Sequence, residues 1–164
     1  MRSIVLVVHN IRSAYNVGAL LRTAEGLGLS HVYLTGYTPY PATRRDSRLP
    51  HIASRVDRLI QKTALGAEKL MNWSHEDNIF ILLDKLRRSG YQIAALEQTK
   101  KATPLQKFIP VNDIALVVGS EIDGLEPKIL AIIDEHVEIP MQGQKESFNV
   151  AIAAAIALYY LKNQ

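Results

Sequence analysis

The apolar positions change their period several times along the chain, and each change marks an element. Residues 3–9, SIVLVVH, form an unbroken apolar run rich in β-branched side chains, as in a strand buried on both faces. Val17, Leu20, Leu21, Ala24 and Leu27 then recur at i, i+3, i+4, i+7 and i+10, which predicts a helix with one core-facing stripe. Asn16 is placed to cap its start, and Gly26 or Gly28 to end it. HVYLTG (31–36) reads as a second strand. The chain therefore opens strand–helix–strand, a right-handed crossover unit.

Residues 37–57 carry three prolines, many arginines and no clear period, which predicts a mobile loop; loops of such length are usually functional or disordered. KTALGAEKLMNW (62–73) reads as a short helix or turn. In EDNIFILLDKLRRSG (76–90), Ile79, Leu82, Leu83 and Leu86 share one helical face and Gly90 is the stop. YQIAALEQ (91–98) and DIALVVGSE (113–121) read as the third and fourth strands. PKILAIID (127–134) is a helix with proline in its first turn, and HVEIPM (136–141) a fifth strand. A last helix, apolar on nearly every face, runs from about Phe148 to Leu161. This alternation predicts an α/β fold with a mostly parallel sheet. No repeat, low-complexity tract or composition break marks a second domain, so residues 1–164 are expected to form one.

Composition removes several chemistries. No cysteine is present, so disulfides, thiolate metal sites and a cysteine nucleophile are excluded. The five histidines (9, 31, 51, 75, 136) show no i, i+4 ligand spacing, and no metal is expected. The longest apolar run, Val150 to Leu161, has 12 residues, against about 20 needed to cross a bilayer. The N-terminal run is too short for a signal peptide, so a soluble, cytoplasmic protein without membrane contact is expected. Net charge is +3 and unevenly spread. Six basic residues (Arg44, Arg45, Arg48, Arg55, Arg58, Lys62) against two acids fall within 44–62. Seven acids against one lysine fall within 113–138. The basic block suits either phosphate binding or a solvated surface.

Ligands of open α/β sheets sit beyond the carboxyl ends of strands. Three strand ends are followed by polar or glycine-rich segments: HNIRSAYNVG, GSEIDG and MQGQKESFN. None is G-x-G-x-x-G, a P-loop or a G-x-S-x-G elbow. Taken singly, Gly119 and Gly124 suit a tight turn, Ser147 and Asn149 suit a helix cap, and Arg22 lies off its helix's core stripe.

Taken in order, the three segments resemble the SpoU (TrmH-type) branch of the SPOUT superfamily of RNA methyltransferases. Asn16, Gly18 and Arg22 match the family's Asn-x-Gly-x-x-x-Arg core. Gly119, Glu121 and Gly124 match Gly-x-Glu-x-x-Gly. Ile139, Pro140, Met141, Gly143, Ser147 and Asn149 match Ile-Pro-Met…Gly…Ser-Leu-Asn-Val, with Phe148 where the family usually has leucine. The resemblance implies a C-terminal deep trefoil knot and transfer of a methyl group from S-adenosyl-L-methionine to a ribose 2′-hydroxyl of tRNA or rRNA. It also implies a homodimer, with the last helix partly buried between subunits. It assigns the catalytic set to Arg22, Asn16, Glu121, Ser147 and Asn149, and the cofactor pocket to Leu96, Glu97, Gly119, Ile139, Met141 and Phe148. Arginines in general keep their proton at neutral pH, so Arg22 suits holding a phosphate and stabilising an alkoxide as well as the base role the family gives it. Many relatives carry an extra RNA-binding domain; none is expected here, and RNA would then meet Arg44, Arg45, Arg48 and Arg55. The alternatives are a non-catalytic RNA-binding protein of the same fold and a base methyltransferase.

Overall fold

The structure, a computed structural model, describes residues 2–164. Seven strands form one sheet in which every pairing is parallel. They are β1 (Ile4–His9), β2 (His31–Thr35), β3 (Trp73–Glu76), β4 (Tyr91–Leu96), β5 (Thr103–Pro104), β6 (Asp113–Val118) and β7 (Glu135–Glu138), in the order β3-β2-β1-β6-β4-β7-β5. The helices are α1 (Ala14–Gly26), α2 (Pro50–Ala64), α3 (Ala67–Leu70), α4 (Ile79–Arg88), α5 (Pro127–Leu130) and α6 (Val150–Lys162).

The unbroken apolar run of β1 has the meaning its composition predicts. Ile4, Leu6 and Val8 face one core with α1, α2 and α6, while Val5 and Val7 face a second core with α4 and α5. The central strands are buried on both sides, so both of their faces must be apolar. The α1 stripe is buried at Val17, Leu20, Leu21 and Ala24 as expected. Gly28 (φ +62°) and Gly90 (φ +90°) follow α1 and α4 in left-handed conformations, as helix stops.

The structure corrects several expectations. Ser13, not Asn16, caps α1: its hydroxyl accepts the Asn16 N–H at 3.2 Å, which places Asn16 inside the first turn. The expected mobile loop of 37–57 becomes helix from residue 50. Pro50 opens α2, whose buried Ala53, Ile60 and Ala64 follow helical spacing, and the arginines between them hide that period. The remainder is tethered. Arg48 donates to Asp46 and to the carbonyls of Tyr40 and Pro41, and lies 3.6 Å over the Tyr40 ring. Arg48, expected to bind RNA, is thus committed to holding its own loop together. The strands β3 and β5 at the two edges carry too few apolar residues to be seen in the sequence. The fourth and fifth strands and the helix at 127 end earlier than expected, and the last helix begins at Val150. Among the described residues no helix is long and apolar enough to cross a membrane.

Gly18 is buried where α1 meets α2. A Cβ there would strike the Thr63 hydroxyl, the Ile60 carbonyl oxygen and the Ala64 nitrogen. Two of these atoms are backbone and cannot swing away. Alanine in a helix interior gains up to about 1 kcal/mol over glycine, whereas overpacking costs about 1–3 kcal/mol, so the clash dominates. Gly18→Ala is expected to lower the urea midpoint; an unchanged or raised midpoint contradicts this packing.

Candidate functional site

Because all strands run the same way, their following segments gather at one edge of the sheet. The pairing of β1 with β6, from Ile4↔Ile114 to Val8↔Val118, sets the 10–16 segment beside the 119–124 turn. The pairing of β4 with β7 brings the residues after Leu96 beside those after Glu138. Between them lies a pocket of about 390 Å³.

Its floor and walls are apolar at Leu96, Val118, Ile139, Phe148, Val150 and Ala153, and polar at Glu97, Gln98, Ser120 and Glu138. The 119–124 turn closes tightly. Ser120 and Gly124 exchange backbone hydrogen bonds at 3.0 and 3.2 Å, and the Ser120 hydroxyl accepts the N–H groups of Ile122 and Asp123. A Cβ on Gly119 would come 2.6 Å from the Gly124 carbonyl carbon, and one on Gly124 (φ +65°) would meet the Glu97 carboxylate. The two glycines therefore face each other across the turn, and neither place admits a side chain. Glu97 braces the turn from β4 by accepting the Leu125 N–H at 3.0 Å.

At the rim, three segments join through side chains. Asn16 Nδ2 donates to Glu121 Oε1 at 2.9 Å, and Asn149 Nδ2 donates to Asn16 Oδ1 at 3.3 Å. The second oxygen of Glu121 accepts the Arg12 N–H at 3.2 Å. Asn149 has two duties: its Oδ1 caps α6 by accepting the Ala151 N–H at 2.9 Å, while its Nδ2 reaches across to α1. Burial raises the Glu121 carboxyl, but the hydrogen bonds from Asn16 and the backbone at Arg12 and Ser13 outweigh it and hold it below the usual range.

Of the expected cofactor residues, Leu96, Glu97, Gly119, Ile139 and Phe148 line the pocket, and Met141 does not. Met141 lies three residues beyond the end of β7, outside the lining. Of the expected catalytic set, Glu121, Ser147 and Asn149 line the pocket and Asn16 joins them at the rim. Arg22 stands apart, exposed on the outer side of α1 and outside the pocket lining, with no hydrogen-bond or ion-pair partner among the described residues. Arg44, Arg45 and Arg55 are exposed and away from the pocket. Gln98 belongs to the segment 95–99 that the resemblance sets beside the cofactor pocket; sequence reasoning missed Val118, Ser120, Ile122, Glu138, Val150 and Ala153, whose only signal is adjacency to the motif residues. No group of residues able to hold a metal ion occurs among the described residues.

Comparison with known proteins places this geometry. The sequence profile of the SpoU rRNA Methylase family matches residues 3–159. A tRNA (guanosine(18)-2′-O)-methyltransferase of Borreliella burgdorferi is 30% identical over 155 residues, covering 94% of this chain and 64% of that protein. A 23S rRNA (guanosine-2′-O-)-methyltransferase RlmB of Acinetobacter baylyi is 28% identical over 159 residues, 96% of this chain and 58% of that protein. The chain thus spans less than two thirds of the length of either. The crystal structure of the Aquifex aeolicus TrmH/SpoU tRNA modifying enzyme superposes with a TM-score of 0.81 at 24% identity, covering all of this chain and 76% of that one; at that identity it establishes the shared fold.

The rim makes a prediction about acid. Because Glu121 is held below the ordinary carboxyl value of 4.5, its contact with Asn16 persists above that value and is lost as pH falls through its folded pKa. The Asn16 side-chain amide resonances are therefore expected to stay constant from pH 9 to about 5 and to move only below the ordinary carboxyl range. A midpoint near neutrality refutes the assignment.

Proposed function

The chain belongs to the SpoU rRNA Methylase family, and from that membership we propose that it transfers a methyl group from S-adenosyl-L-methionine to a ribose 2′-hydroxyl of tRNA or rRNA. The observation that carries the reading is the bonded chain Asn149–Asn16–Glu121 at the rim of the pocket. It joins all three segments that match the family motifs, and it does so at the carboxyl edge of a parallel sheet, where such folds bind ligands.

The pocket residues fit the cofactor. A volume of about 390 Å³ suits a nucleoside-sized ligand. Leu96, Val118, Ile139 and Phe148 offer an apolar slot for an adenine, the Gly119 backbone permits close approach, and Glu97 and Gln98 offer polar partners. Bound there, the cofactor would supply an electrophilic methyl group on a sulfonium. The protein's part is mostly placement, since displacement requires attacker and methyl in line. Ser147 and Asn149 would hydrogen-bond the ribose, and Glu121 acts as a positioning residue through Asn16. The same membership supports a deep trefoil knot at the C-terminal end; the meeting of residues 147–153 with the 118–124 turn across one pocket fits such threading.

Arg22 needs a second copy of the chain to enter this scheme. α1 and α6 run side by side in the same direction, joined by Asn16–Asn149 at one end and by Lys162 Nζ to the Gly28 carbonyl at the other. On α1 Arg22 is exposed, and on α6 Ile152, Ile156 and Tyr159 are exposed at i, i+4 and i+7, an apolar face of that helix pair. A homodimer packed on this face covers the apolar stripe and lets each copy offer its Arg22 to the other's site. There a charged guanidinium would hold the target phosphate and stabilise the developing alkoxide. A cytoplasmic location follows from this reading, since tRNA and rRNA would be its substrates.

Arg22→Ala is expected to reduce methyl transfer by at least about 100-fold while calorimetric binding of S-adenosyl-L-methionine persists; retained transfer removes Arg22 from the mechanism. Ile156→Glu is expected to sediment as a monomer and to lose activity, and a stable dimer would move the interface elsewhere. Nuclease digestion and mass spectrometry of total RNA from a deletion strain and its parent should show one ribose methyl group missing. A missing base methyl group, or no change, overturns the reading.

A further inference from the structure

The outward face of α2 has a charge pattern unlike that of any other helix in the protein. His51, Arg55, Arg58 and Lys62 fall at i, i+4, i+7 and i+11 and are all exposed, forming one stripe opposite the buried Ala53, Ile60 and Ala64. At 1.5 Å per residue the stripe is roughly 16 Å long. The only acid of α2, Asp57, lies off the stripe and is occupied by the Ala42 N–H and the Gln61 amide. Arg55, Arg58 and Lys62 have no carboxylate partner among the described residues. An ordinary solvated helix face mixes signs, with partners at i, i+4. On α4 Arg88 has such a partner in Asp84 at 2.8 Å, and Arg87 pairs with Asp134, just before β7, at 3.0 Å. The bond from Ala42 to Asp57 also ties the segment before α2 to that helix at one point, and that segment adds Arg44 and Arg45, which are exposed and without a carboxylate partner among the described residues.

The stripe has a direction. At its C-terminal end Lys62 Nζ stands 5.9 Å from the centroid of the Tyr15 ring, and Thr63 Oγ1 donates to the Tyr15 carbonyl at 2.8 Å. Tyr15 is 45% exposed and immediately precedes Asn16 of the rim. A run of unpaired cations therefore ends at an exposed aromatic ring beside the site.

We propose that the α2 stripe is a track for the sugar–phosphate backbone of a single-stranded or looped RNA segment, with Tyr15 as a stacking platform for the base next to the target nucleotide. The proposal rests on RNA being the substrate. Steps of three and four residues along a helix are about 5–6 Å, close to the separation of successive phosphates in a strand. Arg55, Arg58 and Lys62 then meet consecutive phosphates. Such contacts carry no sequence information; they set the register of the strand on the enzyme and draw the 2′-hydroxyl toward Asn16.

The test measures binding of an unstructured RNA of about 20 nucleotides, and of bulk tRNA, against salt concentration. Each phosphate contact in a single strand contributes about 0.7 to the slope of log K against log salt. The triple variant Arg55→Ala/Arg58→Ala/Lys62→Ala is expected to bind at least tenfold more weakly, with a slope shallower by about 2. Its calorimetric binding of S-adenosyl-L-methionine should stay as in the parent, which shows that the fold is intact. Arg87→Ala/Arg88→Ala, which removes the paired cations of α4, should leave the slope unchanged. Tyr15→Ala is expected to lose about tenfold in affinity with the slope retained, as stacking requires. An unaltered slope in the triple variant overturns the track, an unaltered affinity in Tyr15→Ala overturns the platform, and equal binding of duplex RNA overturns the single-strand assignment. If the parent protein shows the slope but transfers no methyl group, the track stands and the methyltransferase reading fails. If it methylates RNA while the triple variant keeps its slope, the reverse holds.

Discussion

The parallel pairing of β1 with β6 is the contact on which the site depends. It joins strands more than 100 residues apart in the chain, in register from Ile4↔Ile114 to Val8↔Val118. Both strands are buried on both faces, so their union is driven by the same apolar burial that forms the two cores. Because the strands point the same way, whatever follows each one emerges at the same edge. Asn16 and Glu121 meet only for that reason, since neither attracts the other until the sheet has formed.

On that frame the polar cluster costs little to hold. Asn149 is fixed by its cap on α6, Glu121 by the Arg12 N–H, and Asn16 by the first turn of α1. The Asn149 side chain is held by its local cap and the Glu121 carboxylate by a second bond, to the Arg12 N–H, so little of their rotamer freedom remains to be lost in the contacts with Asn16. The opposed Gly119 and Gly124 act in the same sense. Their missing side chains let the turn close on itself and on Glu97, leaving backbone facing the pocket. Gly18 belongs with them in sequence but not in purpose: it serves the packing of α1 on α2, and a motif glycine is not by that fact a ligand glycine.

Two uses of arginine separate sharply in the 44–62 block. Arg48 is spent on Asp46 and the Tyr40 ring, and its hydrogen bonds hold the Asp46 carboxyl well below the usual range. Arg55 and Arg58 are left unpaired on α2. Composition counts these residues alike. The positions of the two acids divide them: Asp46, two residues before Arg48, takes that arginine, while Asp57 is occupied by the Ala42 N–H and the Gln61 amide.

Much of the architecture was legible because the strongest signals are local. The apolar run of β1, the helical stripes of α1 and α4, and the stops at Gly28 and Gly90 follow from periodicity and backbone conformation alone. So do the order of the central strands' elements and the edge of the sheet where ligands belong. The three motif segments were visible as unusual sequences at strand ends, and their resemblance to a family gave them roles. The weakly apolar edge strands β3 and β5, the capping of α1 by Ser13 and the true start of α2 were not visible, since each depends on partners supplied by neighbouring elements. What the sequence determined by itself is which segments are buried strand, amphipathic helix or polar turn, because burial period and glycine conformation are properties of a few consecutive residues. Only the tertiary structure decided that Asn16, Glu121 and Asn149 form one bonded chain, that Met141 and Arg22 stand outside the pocket, and that the free cations of α2 end at Tyr15. Those are distances between residues remote in sequence, and only the packing of the sheet and helices sets them.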